Sequence, residues 1–312
     1  MKNKLTRKLM LSAFTLLFAV ISLGASTYAW FTMSEKAEVE AFTADVKAGE
    51  GIEIAVTADG DASNVQWYTG VLESEIIQPI VNAKNVKFGA LTTINAVEFY
   101  DQNDDPVTNS DNSASYLEFY LHIKSAESGS IKLSNITFNS KEPKELDEDN
   151  NMTYGAVSPW TADAGYKLSD DTEVKVNDEV LYEVANAARV ALIVNNNTYI
   201  YENGEVEQPE GDVDYIFAGN TFGTTSTNGA YDYYNAKVSE AKQLDPNTSR
   251  KYVTNMDNDD ENQFDEFDES IIEGQYITIK VVVWVEGWDA ECLNAIFAQQ
   301  LSIALEFELS QE

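Results

Sequence analysis

Tyr116-Leu117-Glu118-Phe119-Tyr120-Leu121-His122-Ile123-Lys124 decides the fold. In an extended chain Leu117, Phe119, Leu121 and Ile123 fall on one side. Glu118, Tyr120, His122 and Lys124 fall on the other. Side chains alternate across a strand, so the segment is a half-buried strand with His122 on its exposed, polar face. Leu301–Leu309 repeats the pattern, with Leu301, Ile303, Leu305, Phe307 and Leu309 on the apolar side. In Ile277–Glu286 the second face also turns apolar, at Val282 and Trp284, which predicts a central strand covered on both faces.

Further strands are predicted at Val39–Val46, Gly51–Thr57, Ile131–Phe138, Arg189–Val194 and Thr198–Tyr201. The last two flank Asn195-Asn196-Asn197, a hairpin turn, because asparagine tolerates positive φ. Short strands with turn residues between them imply an all-β fold, an antiparallel, jelly-roll-like β-sandwich. Helix signals are few: Ala230–Leu244, stopped by Pro246, and Asp289–Gln299, with Asp289 at its N-cap. Long insertions are expected around 101–115, 140–173 and 202–270, and the last is long enough to carry structure of its own. A small subdomain built from 140–270 is compatible with this pattern.

The chain of 312 residues carries 20 basic and 53 acidic side chains, a net charge of −33. Nucleic acid and anionic membrane surfaces are excluded as partners, since both need a basic surface. The excess favours solubility, cation binding or a basic partner. Disorder is excluded too, because 44% of the residues are hydrophobic and aromatic residues make up 11%. The single cysteine, Cys292, forbids an internal disulfide and reads as a small packing residue.

Lys2, Lys4, Arg7 and Lys8 precede an apolar run from Leu9 to Leu23, and the small residues Gly24-Ala25-Ser26-Thr27 follow. This is the layout of a secretory signal peptide over residues 1–29. Thr27 and Ala29 form a small-residue cleavage site that leaves Trp30 as the new N-terminus. Without the four basic residues the charge is 16 − 53 = −37. An uncut signal anchor is the competing reading, since Leu9–Trp30 is long enough to cross a bilayer. After cleavage no stable membrane insertion is expected, and the protein is secreted, extracellular or at the cell surface.

Acid density peaks between Asp257 and Glu269. Asp257, Asp259, Glu261, Asp265 and Asp268 stand at positions 1, 3, 5, 9 and 12, the spacing of oxygen ligands in a calcium loop. Asn262 replaces the required glycine and Asp268 the bidentate glutamate. Two readings stay open, a calcium loop of non-EF type and a solvated acidic loop, and calcium is the one cofactor the sequence suggests. Asp101-Gln102-Asn103-Asp104-Asp105 is a weaker version. Zinc hydrolysis needs several His or Cys ligands, and the chain has one of each. No G-x-S-x-G elbow supports a serine hydrolase. The expectation is a protein without catalytic residues. Trp67-Tyr68, Tyr154, Trp160, Tyr231, Tyr233-Tyr234, Trp284 and Trp288 read mainly as core and strand aromatics, with sugar stacking as the alternative.

Tyr28-Ala29-Trp30-Phe31-Thr32, directly after the signal, resembles the start of the TasA/camelysin (CalY) family of secreted bacterial proteins. Phe42–Ile54 and Val283-Trp284-Val285-Glu286-Gly287-Trp288-Asp289 with Cys292 look like first and last strands of proteins with this type of signal. The resemblance covers both ends of the chain, about a quarter of its length, and the middle matches nothing. It implies release by a dedicated signal peptidase (SipW), a jelly-roll-like sandwich, and assembly into biofilm-matrix fibres. In fibre-forming members the N-terminal segment of one subunit adds as a strand to the next. Camelysin's classification as a metalloprotease does not carry over, because the metal ligands are missing.

The expected organisation is therefore signal peptide 1–29, N-terminal segment 30–50 as donor strand, and a sandwich over 51–312. The assembly strand is read at Trp30, Phe31, Met33, Val39, Ala41, Phe42 and Val46, with another copy of the chain as partner. Cleavage leaves an apolar terminus that calls for cover, and strand addition supplies main-chain hydrogen bonds. Pairing of this segment inside its own domain is the alternative. The expected function is a structural subunit of a cell-surface or biofilm-matrix filament. An adhesin or a carbohydrate- or calcium-binding module is the second reading, and a secreted hydrolase the third.

Overall fold

The computed structural model describes residues 41–72, 74–101, 105–109, 114–147, 152–203, 213–218, 228–238, 267–297 and 299–311. Twelve strands form two six-stranded sheets. They are β1 (Ala41–Ala48), β2 (Ile52–Thr57), β3 (Val71–Leu72), β4 (Ala90–Leu91), β5 (Leu117–Ser125) and β6 (Gly129–Leu146), then β7 (Met152–Gly155), β8 (Ala188–Val194), β9 (Asn197–Glu202), β10 (Asp268–Ile271), β11 (Tyr276–Glu286) and β12 (Gln300–Ser310). Sheet one runs β10-β6-β12-β1-β3 with β7 appended to β6. Sheet two runs β9-β8-β11-β5-β2 with β4 beside β11.

The alternation read from the sequence sets the core. Leu117, Phe119, Leu121 and Ile123 of β5 and Ile279, Val281, Val283 and Val285 of β11 are buried from sheet two. Val46 of β1 and Leu301, Ile303, Leu305 and Phe307 of β12 join them from sheet one. Burying each such side chain contributes about 1.5–3 kcal/mol. In β6 the buried positions switch from Ile131 and Leu133 to Ile136 and Phe138. A β-bulge at this point, opposite Glu306 and Phe307, absorbs the extra residue.

β11 lies between β8 and β5, as its two apolar faces require. Its outer face carries a second core, in which Val282 and Trp284 pack with Leu91, Ala96, Phe99 and Tyr116. Phe99 stacks on Tyr116 at 4.0 Å and meets Trp284 edge-on at 5.7 Å. The cover over sheet two thus comes from the stretch ahead of the expected 101–115 insertion, with Val107 the insertion's own contribution. The turn between β8 and β9 is the expected one, with Asn195 and Asn196 at φ of 50° and 70°.

Three expectations are corrected. The sandwich is not wholly antiparallel, because β1 runs parallel to β12 and β4 parallel to β11. Asp289–Gln299 is not an α-helix but a series of turns ending in a 3₁₀ turn at Asn294–Ile296; Asp289 Oδ1 accepts the Glu291 amide, as a cap would, while Oδ2 is held by Arg189. The helix predicted from Ala230 is found at Ala230–Lys237, and the residues beyond Val238 in that prediction lie outside the described ones. Among the described residues two other helices, α1 (Ser74–Lys84) and α2 (Val184–Ala187), precede it, and Ala230–Lys237 is α3.

The middle of the chain folds against one end of the sandwich. Small strands at 160–161, 179–181 and 216–217 pair there, and Trp160, Tyr166 and Tyr233 meet edge to face. Tyr166, Tyr182 and Tyr233 belong to the same apolar cluster as the sandwich, so this part shares the main core rather than owning one.

Candidate functional site

At the other end of the sandwich, the β1–β2 turn builds a cavity. Ala48, Gly49, Glu50, Gly51 and Ile52 line it together with Thr69, Gly70, Lys124 and Glu273, around a volume of about 790 Å³. Gly49 is required there, since a Cβ would stand 2.9 Å from the carbonyl oxygen of Phe307 on β12. Gly51 turns the chain at φ 84°, which favours glycine.

Register places a row of polar and aromatic groups beside this cavity, on the outer face of sheet two. Glu53, Lys124 and Tyr276 stand side by side across β2, β5 and β11. Lys124 pairs with Glu53, and its ammonium lies 4.6 Å from the centre of the Trp67 ring. Trp67 and Tyr276 are 6.0 Å apart, and Tyr276 is 52% exposed. Cation–π contact and a half-exposed aromatic pair form a ledge able to stack on a ring.

His122 occupies the next row, and the expectation that it is exposed is overturned. It is fully buried, with Nε2 2.9 Å from Thr57 Oγ1 and Nδ1 2.9 Å from Thr278 Oγ1. Tyr276 meets its ring edge-on at 5.9 Å. Burial pushes its pKa down against the pull of Asp59 and Asp61. Alternation placed it on the polar face correctly; the groups that cover that face come from other parts of the chain.

A second constellation lies at the opposite end of β11. Arg189 of β8 is 2% exposed and pairs with Glu202 of β9 at 2.5 Å and with Asp289 of the turn after β11. Its Nη1 donates to the carbonyl oxygens of Asn186 and Ala188 at 3.1 and 2.9 Å. Glu286, at the end of β11, accepts from the Trp288 amide at 3.1 Å and from Trp284 Nε1 at 3.3 Å. Glu291 accepts from Ser169 Oγ at 3.1 Å, while its second oxygen has no partner. Burial pushes Glu286 up to about 7, and burial beside Asp289 holds Glu291 well above the usual carboxylate range. Cys292, buried among these acids, has a thiol pushed up by burial, as its reading as a packing residue implies. The sequence did not reveal this cluster. Its one local sign was Arg189, a lone cation opening the apolar strand Ala188–Val194.

The residues singled out from sequence are dispersed. Thr27, Ala29, Trp30, Phe31, Met33 and Val39 lie outside the described residues. Ala41, Phe42 and Val46 stand in β1, opposite Gln300, Leu301 and Leu305 of their own chain, with Val46 fully buried. Within this chain residues 41–46 thus take the alternative reading, pairing inside their own domain, with Ala44 and Val46 in its core. Asp257, Asp259, Glu261 and Asp265 are outside the described residues. Asp268 begins β10 and pairs with Lys132 at 3.3 Å. Asp101 accepts the Asp105 amide at 3.0 Å, closing a turn. Among the described residues no group of three acidic, His or Cys side chains is placed to hold a metal, and no helix is long and apolar enough to cross a membrane. Comparison with protein-family models, with curated proteins and with solved structures finds no match.

Proposed function

We propose that this chain is a secreted structural subunit that assembles head to tail into an extracellular filament, with residues 30–40 of one copy engaging the next. The observation that carries the reading is the position of β1. It runs parallel to β12, so the chain enters the sheet at the Gln300 end and leaves it at the cavity end. Eight strand residues place these ends about 23 Å apart. A contact joining unlike ends of a subunit does not close on itself and generates an open fibre. β1 also has a second strand neighbour only at Val46 and Lys47, which leaves Ala41–Asp45 with β12 alone among the described strands. Such edges accept strands from other chains. The basic n-region and apolar run support export, and no residue set described above supports catalysis.

Electron microscopy of the mature protein tests this directly. Filaments are expected from Trp30–Glu312. Deleting residues 30–36, ahead of β1, should leave a folded monomer. A deletion variant that still forms normal filaments, or a full mature chain that stays monomeric at high concentration in salt, overturns the reading.

The ledge of Trp67 and Tyr276 favours a second reading, an adhesin that stacks a sugar ring beside the cavity. Binding on a glycan array that is lost in Trp67→Ala, with unchanged melting, would support it. No binding to any glycan would exclude it.

A further inference from the structure

The carboxyl cluster at the far end of β11 is used by neither reading. Four acids, Glu202, Glu286, Asp289 and Glu291, share one cation, Arg189, and all five are at most 3% exposed. Fully ionised, the group would carry an excess of three negative charges in a dry interior, where unpaired charge is costly. The arrangement answers this unequally. Arg189 is committed to Glu202 and Asp289. Glu286 faces only the neutral donors Trp284 Nε1, the Trp288 amide and Thr92, with Arg189 and Cys292 nearby. Glu291 faces Ser169, Asp289, Tyr182, Arg189 and Cys292, and one of its oxygens has no hydrogen-bond partner.

The turn that carries these groups is also a dock. The Ala290 carbonyl accepts the Ala230 amide at the start of α3 at 2.6 Å, and Glu291 receives Ser169. Gly229 fits only without a side chain, since a Cβ would stand 2.3 Å from that carbonyl. The other half of the dock is uncharged: Gln299 accepts the Val184 amide at 2.9 Å and donates to the Tyr182 carbonyl at 3.0 Å.

We propose that Glu286 and Glu291 form a proton latch: with both carboxyls uncharged, the 286–293 turn holds α3 and the Ser169 segment on the sandwich, and their ionisation loosens that dock. A carboxylate at either position has no ion pair of its own, since Arg189 is paired directly with Glu202 and Asp289 and acts on Glu286 and Glu291 only from nearby. Release is local, because the Gln299 contacts and the strand ladders of the sandwich do not titrate. Glu286, at about 7, places the window near neutral pH, and burial beside Asp289 raises Glu291 as well.

Cys292 is the reporter, being the only thiol and lying inside the cluster. Its labelling rate in the mature chain, divided at each pH by the rate in urea-unfolded chain, removes the thiol's own titration. Between pH 5.5 and 8.5 this normalised rate should rise at least tenfold. In the double variant Glu286→Gln, Glu291→Gln it should stay low throughout. Gly229→Ala should label quickly at both pH values, since it breaks the dock without touching a charge. A flat profile in the natural sequence, or a double variant that tracks it, overturns the proposal. Should the double variant not fold, hydrogen exchange of the natural chain decides, after correction for intrinsic rates. Protection lost at pH 8.5 in 229–237 and 286–293 but kept in 117–125 supports the latch, and uniform loss overturns it.

Discussion

The two ends of β11 handle charge in opposite ways. At the Tyr276 end, Glu53 and Lys124 pair at the surface, a third or more exposed, and the buried histidine beside them is bonded to two threonines. At the Glu286 end, five charged or ionisable groups are enclosed, and acids outnumber cations four to one. The same strand, with the same alternation, leads into both. What differs is the cover. The first end is overlaid by short polar turns and a half-exposed aromatic ledge. The second is sealed by Trp284, Trp288, the 91–100 segment and the tyrosine-rich middle of the chain. Ion pairs at the first end are screened by water and contribute little. At the second end, each charge depends on its partner.

Removing the buried cation should break this contrast most severely. Arg189→Met leaves Glu202 and Asp289 without their counter-charge and should cost about 3–5 kcal/mol in urea unfolding. A loss below about 1 kcal/mol would mean that water reaches the cluster and that the two ends are alike.

Next in size is the pH dependence of stability. The folded-state pKa of Glu286, about 7, lies above its ordinary 4.5. The folded state therefore binds the proton more tightly, so its stabilisation is complete below pH 4.5 and is lost as pH rises through 7. The shift corresponds to about 3 kcal/mol. Glu286→Gln should flatten the fall between pH 5 and 8.5. His122 has the opposite sign: burial lowers its pKa, so its contribution is present above 6.5 and is lost as pH falls. Stability measured from pH 4 to 9 should thus decline on both limbs, with Glu286→Gln changing only the alkaline one.

A smaller effect is expected for His122→Ala, which strips the partner from the Thr57 and Thr278 hydroxyls. One to two unsatisfied groups cost about 1–3 kcal/mol, and the acid limb of the stability profile should shrink with it. Smallest is Lys280→Ala. Its pair with Glu118, on the same face and about a quarter exposed, should contribute less than about 1 kcal/mol, and less again in high salt. A larger loss would place this end, too, in the buried regime.

The cavity and ledge lay in sequence stretches whose strands were legible while their juxtaposition was not. Glu53, Lys124 and Tyr276 meet only because β2, β5 and β11 are neighbours, and Tyr276 and Glu53 are far apart in the chain. The buried cluster was less visible still, since Arg189, Glu202 and Asp289 come from three separate elements. An acid at a strand end looks the same in sequence whether water or a tryptophan will cover it.

What the sequence determined by itself is local. Two-residue alternation placed β5, β11 and β12 and their inward side chains, and the apolar second face of β11 marked it as central. The asparagine run set the β8–β9 turn, because few other residues tolerate positive φ. These features follow from the extended backbone and need no knowledge of distant residues. Tertiary structure alone decided that β1 closes its own sheet beside β12, that His122 is buried, and that Arg189 meets acids up to 100 residues away. Burial depends on what arrives to cover a face, and the covering segments are held by packing and loop closure rather than by their own periodicity.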